Sequence, residues 1–298
     1  MVYHIPALLN ESIDGLNISP DGIYVDVTFG GGGHSMEILK RLRSGRLIAF
    51  DQDKDAKINA PDDPRFLLLD QNFRFLKNNL LFNGISSIDG LIADLGVSFH
   101  QFDEADRGFT FRQDAPLDMR MNRDSRITAA ILLNTMDEGS MADMFYNYGE
   151  FRNSRRIAGE IVSAREIKPF ASVKDIIDTI GKLAPFRQEH KFYARIFQSL
   201  RIAVNHEIDY LMKMLEQSLS MLRPGGRLAV ITYHSLEDRI VKNFMRTGNF
   251  EGGGIKDFYG NMETPFRLIS RKGITPGDEE IASNNRARSA RLRIAEKI

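Results

Sequence analysis

Four consecutive glycines, residues 30–33, stand between the apolar run 24–29 and a helical pattern that begins at His34. Glycines leave no Cβ to hold a ligand off the backbone, and they permit positive φ wherever the bend needs it. The loop can therefore wrap a nucleotide-like molecule at the start of the next helix. Two carboxylates stand at comparable places further on. Asp51 closes the apolar run 46–50, 18 residues past Gly33. An acid at such a tip accepts hydrogen bonds from ribose hydroxyls and disfavours a 2′-phosphate. Asp94 ends the run 89–95, outside the carboxyl ends of the central strands, where open parallel sheets carry out reactions. A carboxylate at a buried strand end needs a partner, and a ligand amine supplies one. The plainer alternatives are a surface turn for the glycines, a helix-capping role for Asp51 and a loop-bracing role for Asp94.

The glycine spacing does not fit the dinucleotide fingerprint G-x-G-x-x-G. Counted from Gly30 and Gly32 the last place is Ser35, and from Gly31 and Gly33 it is Met36. Asp26-x-x-x-Gly30-x-Gly32 instead resembles the first loop of S-adenosylmethionine-dependent methyltransferases.

The elements that must position these residues follow from hydrophobic periodicity. A helical lead-in over 4–17 precedes strand one at 23–29. A helix over 34–43, with Met36, Leu39 and Leu42 inward, leads to strand two at 46–50, an apolar run of the kind buried on both faces of a parallel sheet. Strand three is 65–69. Phe73 follows it, either as a cover for a bound ring or as the first core residue of a helix over 72–82. Strand four is 89–95. From 102 to 205 the alternation stops, and helices are expected at 128–133, 140–148, 153–165, 173–183 and 189–204. Segment 107–121 reads as a loop folding over a site. A helix over 207–221 ends at Leu222-Arg223-Pro224-Gly225-Gly226 and feeds strand five at 227–233. Ser235 is the expected N-cap of the next helix, and His234 reads as a structural histidine. Strands at 265–270 and 290–295 form a closing antiparallel hairpin. The predicted fold class is thus α/β, a class I (Rossmann-like) methyltransferase sheet built from residues 1–102 and 206–298, with an all-helical domain at 103–205 inserted for substrate recognition.

The chain has 298 residues with no cysteine, which removes disulfides, thiolate metal sites and cysteine nucleophiles. No apolar run approaches the roughly 20 residues that span a bilayer. The first ten residues lack a signal-peptide layout, so the cytoplasm is the expected compartment. Net charge is zero, yet residues 152–201 hold 11 Lys and Arg against 5 Asp and Glu. Arg187, Lys191 and Arg195 recur every four residues, and Arg152, Arg155 and Arg156 open another helix. Such stripes suit phosphate contacts or a solvated helix face. Phe192, Tyr193 and Phe197 interleave with the first set, as core or as a base-stacking ring.

Taken together, the chain resembles the bacterial 16S ribosomal RNA (cytosine-N4)-methyltransferase H family, also called MraW. The residues that carry the likeness include His4-x-Pro-x-Leu-Leu-x-Glu11, Thr28-Phe29-Gly30 with Gly32-Gly33-His34-Ser35, Asp94-Leu95-Gly96-Val97-Ser98 and Arg107-Gly108-Phe109. They continue through Pro116-Leu117-Asp118-Met119-Arg120-Met121, Phe197-Gln198-x-x-Arg201-Ile202, His234-Ser235-Leu236-Glu237-Asp238-Arg239 and Asn285-Arg286-Ala287-Arg288-Ser289. The chain departs from the family's Val-Ser-Ser-Pro-Gln-Leu-Asp in reading Val97-Ser98-Phe99-His100-Gln101-Phe102-Asp103, with Gln101 and Asp103 in register.

The resemblance implies methyl transfer from S-adenosyl-L-methionine to N4 of a cytidine in the decoding centre of 16S ribosomal RNA, with the RNA presented in the 30S subunit and no membrane partner. It places the family's cofactor contacts on Gly32, Gly33, His34, Asp51, Phe73, Asp94 and Gln101. An exocyclic amine is a poor nucleophile, so an acceptor must bind its N–H as the methyl arrives. Asp94 or a strand-four carbonyl is expected there, with Asp118 as runner-up. The prolines and stacking ring that often follow this acid in amino-methyltransferases are absent after Asp94. No metal is required. A methyltransferase acting on DNA or a small molecule, and an RNA-binding scaffold, are the competing readings; dimerisation is left open.

Overall fold

A computed structural model describes residues 6–97, 104–253 and 264–298, and these fall into two compact units. The first comprises Met1–Gly96 and Asp209–Ile298, the second Val97–Ile208.

The first unit is built on a seven-stranded sheet in the order β3-β2-β1-β4-β5-β7-β6. Its strands are β1 (Ile23–Asp26), β2 (Arg46–Asp51), β3 (Phe66–Asp70), β4 (Ile88–Asp94), β5 (Leu222–Thr232), β6 (Phe266–Leu268) and β7 (Arg291–Lys297). The first five pair in parallel, and β7 enters antiparallel between β5 and β6. Parallel strands bury both faces, which is why Leu47, Ile48, Ala49 and Phe50 are consecutive and all buried. The chain reverses direction in sheet order between β1 and β4, so a crevice opens at the carboxyl ends of those two strands.

Strand five differs from its expected bounds. It runs from Leu222 through Pro224-Gly225-Gly226, with Ile88 opposite Leu222 and Gly90 opposite Arg227. The extra residues form a bulge in which Gly225 takes φ 80°, so the turn glycines bend the strand instead of preceding it. Met36 also departs from expectation. It is exposed, and Ile38 is buried in its place beside Leu39 and Leu42.

The second unit is helical over Ala129–Thr135, Glu138–Gly149, Ser154–Ile167, Val173–Ile180 and Glu189–Asn205. Its own core includes Phe145, Phe151, Ile157, Ile161, Ile176, Phe192, Phe197 and Leu200. Phe192 and Phe197 are therefore core residues, while Tyr193 is half-buried against it. Segment 107–121 is anchored in that same core. Phe109, Leu117, Met119 and Met121 are buried in it, and the Arg107 guanidinium donates to the carbonyls of Arg120 and Met121. Asn205 then clamps the segment from the last helix, accepting from Met121 N and donating to Met119 O.

Among the described residues, no helix is long and apolar enough to cross a membrane.

Candidate functional site

The carboxyl ends of β1, β2 and β4 bring three aspartates to one edge of the sheet. Asp26 is buried at the end of β1 and holds the glycine loop from within. It accepts hydrogen bonds from Thr28 N at 3.0 Å and from Ser35 Oγ at 2.7 Å, so it ties both arms of the bend together. Burial raises its pKa. Its sequence position gave no sign of this bracing role, which depends on a serine nine residues away.

Between those arms Gly30 and Gly32 adopt φ 50° and 78°, conformations costly for any residue with a Cβ. A Cβ on Gly30 would meet nothing nearer than Thr28 O at 3.9 Å, so its backbone is open to an approaching molecule. Gly33 is required for a different reason: a Cβ there would lie 2.1 Å from Pro6. Replacing Gly33 by alanine is expected to push residue 6 off the loop and lower stability by roughly 1–3 kcal/mol, as overpacking does. Thermal melting of the purified variant checks this.

Asp51 is half-buried at the end of β2. One carboxylate oxygen accepts from Gly30 N at 2.8 Å and the other from Asp53 N at 2.8 Å. Burial nevertheless pushes its pKa up to about 6. Each oxygen keeps a further lone pair, so the group can accept hydroxyl hydrogens while it fixes the glycine loop. The loop is also held by Asn59 Nδ2, which donates to Gly30 O at 3.0 Å.

Phe73 lies beyond β3 in a single 3-10 turn, Phe73–Phe75, capped by the Asn72 side chain. It is half-exposed, and the helix core that follows begins at Leu76 and Leu80. Phe73 therefore stands before the helix and is not one of its buried residues. Gln101 lies outside the described residues.

Asp94 closes β4. Its backbone N donates to Thr28 Oγ1 at 2.6 Å, which ties the strand tip to the arm of the glycine loop. Its Oδ1 accepts from the Tyr233 hydroxyl at 2.8 Å, and its Oδ2 lies 3.9 Å from His34 Nδ1. Burial pushes the Asp94 carboxyl up to about 7, against the opposing hydrogen bond from Tyr233; the nearby Asp26 and Glu237 charges raise it further. His34, buried at the start of helix Gly33–Arg41, is pushed down to about 4 by desolvation, so it is a neutral imidazole near pH 7. Tyr233 is pushed well above the ordinary phenol range, again chiefly by burial, and remains a hydrogen-bond donor. Tyr233 was not among the expected site residues. It approaches Asp94 from 139 positions away in the chain, across the β4–β5 pairing.

His234 is the N-cap of helix Ser235–Thr247, accepting from Glu237 N through Nδ1 at 3.3 Å. The cap therefore falls one residue before the expected Ser235. Glu237 in turn accepts from Tyr233 N at 3.0 Å, so the start of this helix fixes the backbone that carries the tyrosine.

Asp118 lies in the second unit. Its oxygens are gripped in a fork by Arg120, with Oδ1 to Nε at 2.7 Å and Oδ2 to Nη2 at 2.7 Å. Its pKa is lowered; burial opposes the shift, and the Arg120 hydrogen bonds and charge outweigh it.

An open loop of left-handed glycines, a half-buried acid with spare lone pairs at the next strand tip and a carboxyl poised near neutrality beyond it fit a nucleoside carrying a cationic sulfur. The sheet order and this edge define an S-adenosylmethionine-dependent methyltransferase. The profile of the MraW methylase family matches residues 1–298, and the chain belongs to that family. Among its relatives, a ribosomal RNA small subunit methyltransferase H of Parabacteroides distasonis is 56% identical over 99% of this chain and 98% of its own length. The protein of the same name from Flavobacterium johnsoniae is 53% identical over 100% of this chain and 99% of its own. A solved rRNA methylase from Streptococcus thermophilus is similar over 99% of both chains at 14% identity and TM-score 0.45, too distant to carry an argument.

Proposed function

We propose that this protein methylates the N4 amine of a cytidine in the decoding centre of 16S ribosomal RNA, acting on the small subunit or its precursor. The observation that carries the RNA assignment is the name shared by full-length relatives at 53–56% identity. The amine assignment rests on Asp94. The bound donor supplies an electrophilic methyl on a positively charged sulfur. The chain's own residues must then align the amine and accept its proton. Alignment of donor and acceptor supplies most of the acceleration.

Asp94 suits the acceptor role because Tyr233 fixes one oxygen and, among the described residues, no short hydrogen bond claims the other. Asp118 is the weaker candidate, since Arg120 already occupies both of its oxygens. Gly32, Gly33, His34, Asp51, Phe73, Asp94 and Gln101 are proposed to hold the donor. The helical unit, assigned at 103–205, is proposed to hold the RNA while the target base is extruded, because a base inside folded RNA is otherwise out of reach.

Mass spectrometry of ribosomal RNA nucleosides from cells with and without the protein tests the whole reading. Loss of N4-methylated cytidine supports it, whereas loss of a ring-carbon or ribose methyl sinks it. A narrower expectation concerns the donor. Asp51→Ala removes charged acceptors of ribose hydrogen bonds and should weaken S-adenosylmethionine binding about 10- to 100-fold in calorimetry. A donor analogue lacking both ribose hydroxyls should lose clearly less affinity in the variant, the remaining loss reporting the loop contact to Gly30 N.

A further inference from the structure

The helical unit contains a cleft of about 320 Å³, within the size range of sites that hold small ligands. It lies where helices Ser154–Ile167 and Glu189–Asn205 both begin. Members of the two basic groups line it together: Arg152 from one, Lys191 and Arg195 from the other. One carboxylate, Glu150, shares the lining, so cations outnumber anions three to one.

These cations are not equally engaged. Arg195 donates from Nε to Gly149 O at 2.7 Å and stacks its guanidinium 4.3 Å from the Phe151 ring, which makes it part of the wall. Arg152 and Lys191 are exposed and have no ion-pair partner among the described residues. Two basic side chains of this unit are neutralised locally, Lys168 by Asp175 and Lys182 by Glu160. Arg155 and Arg156 are exposed beside the cleft, on the helix that begins there. In addition, Asn153 does not cap its helix with a side chain and the first turn of that helix holds no acid, so this helix start adds positive potential to the cleft.

The rim carries a second feature. Phe186, between the lining residues Pro185 and Gln188, is 81% exposed, and the Arg187 guanidinium sits 5.1 Å from its ring. A phenylalanine so exposed gains nothing from the unit's core, where the other aromatics of this region are buried. A flat ring with a cation beside a positive cleft is the combination that binds a single nucleic-acid strand: the cleft takes a phosphate and the ring takes an adjacent base face.

We propose that this cleft seats the backbone of a single-stranded RNA segment, with Arg152 and Lys191 on a phosphate and Phe186 stacked on a neighbouring base. The site lies wholly within the helical unit. It deepens the proposed function and rests on it for the identity of the RNA.

The test uses the full-length protein and a fluorescently labelled oligoribonucleotide of mixed sequence, about 12 nucleotides long, a length within single-strand site sizes. Binding is followed by anisotropy across a salt series. Arg152→Ala with Lys191→Ala should reduce affinity at least about tenfold and make the dependence on salt shallower by about one to two units of slope. Phe186→Ala should reduce affinity about tenfold with no change in slope. Helical circular dichroism and thermal melting, unchanged in each variant, show that the helical unit is folded. Removing an equal charge just outside the cleft, with Arg155→Ala and Arg156→Ala, should cost clearly less. Equal losses from both pairs would mean diffuse attraction and overturn the proposal. So would unchanged oligonucleotide binding with weaker binding of the 30S particle, which would point to a ribosomal protein. Failure of the wild type to methylate ribosomal RNA, with cleft-dependent RNA binding intact, would sink the proposed function and leave the cleft standing.

Discussion

Asp94→Ala should lower turnover by about 10²- to 10⁴-fold, the range expected for loss of a positioned proton acceptor. S-adenosylmethionine binding should weaken far less than turnover falls, because Asp94 is one of several expected donor contacts and the glycine loop is fixed by Asp26, Asn59 and Asp51. The pH profile gives the prediction its sharper form. A carboxyl near 7 must be ionised to accept the amine hydrogen, so kcat/KM should rise with unit slope up to about pH 7 and then level off. A flat profile from pH 5.5 to 8.5 in the wild type would remove Asp94 from this role.

The same residue should cost the ligand-free protein stability. Burial raises the folded-state pKa of Asp94 from 3.8 to about 7, so the native protein keeps a proton that the unfolded chain has released. Its favourable contribution as a neutral group is complete below about pH 4, is lost as pH rises and is gone above about pH 7. The full swing is at most about 4 kcal/mol, from roughly three pKa units at 1.36 kcal/mol each. Asp94→Asn cannot ionise. It should therefore melt higher than the wild type at pH 8 and indistinguishably from it near pH 4. An advantage of equal size at both pH values would show that packing, not charge, is responsible. A site that costs stability in this way is typical of groups selected for chemistry.

The sheet and the approximate site are legible in the sequence because each depends on local pattern. Residues 47–50 are apolar without interruption, as a strand buried on both faces must be, and Asp51 and Asp94 mark the ends of such runs. The glycines announce a bend. What local pattern cannot carry is any contact fixed by strand order. The Tyr233 hydroxyl reaches Asp94 only because β5 pairs with β4, and Arg152 meets Lys191 only because two helices begin at one cleft. The N-cap at His234 is missed for a different reason. Imidazole nitrogen is an uncommon cap, and the neighbouring serine fits the usual preference. The bulge in β5 is hidden because Pro-Gly-Gly serves equally well to end a helix or to bend a strand.

Asp238→Ala is expected to have the largest effect on stability of any substitution considered. Asp238 receives both Nε and Nη2 of Arg293, at 2.7 and 2.9 Å, and Arg293 is buried on β7. Removing the carboxylate strands a mostly buried guanidinium; breaking a fully buried pair costs about 3–5 kcal/mol, which is the upper bound here. Arg291 also pairs with this carboxylate, at 3.8 Å, so removal of the carboxylate leaves two like charges beside each other. The double variant Asp238→Leu with Arg293→Met should recover most of the loss, because an apolar pair has no charge left to desolvate. The consequence reaches the site through one element. Asp238 belongs to the helix whose first turn carries Glu237, Glu237 holds the backbone of Tyr233, and Tyr233 holds Asp94. Loosening the helix should therefore also reduce turnover in Asp238→Ala at temperatures well below its melting point, and the double variant should restore it. Restored melting without restored turnover would mean that Asp238 acts on the site by a route other than this helix.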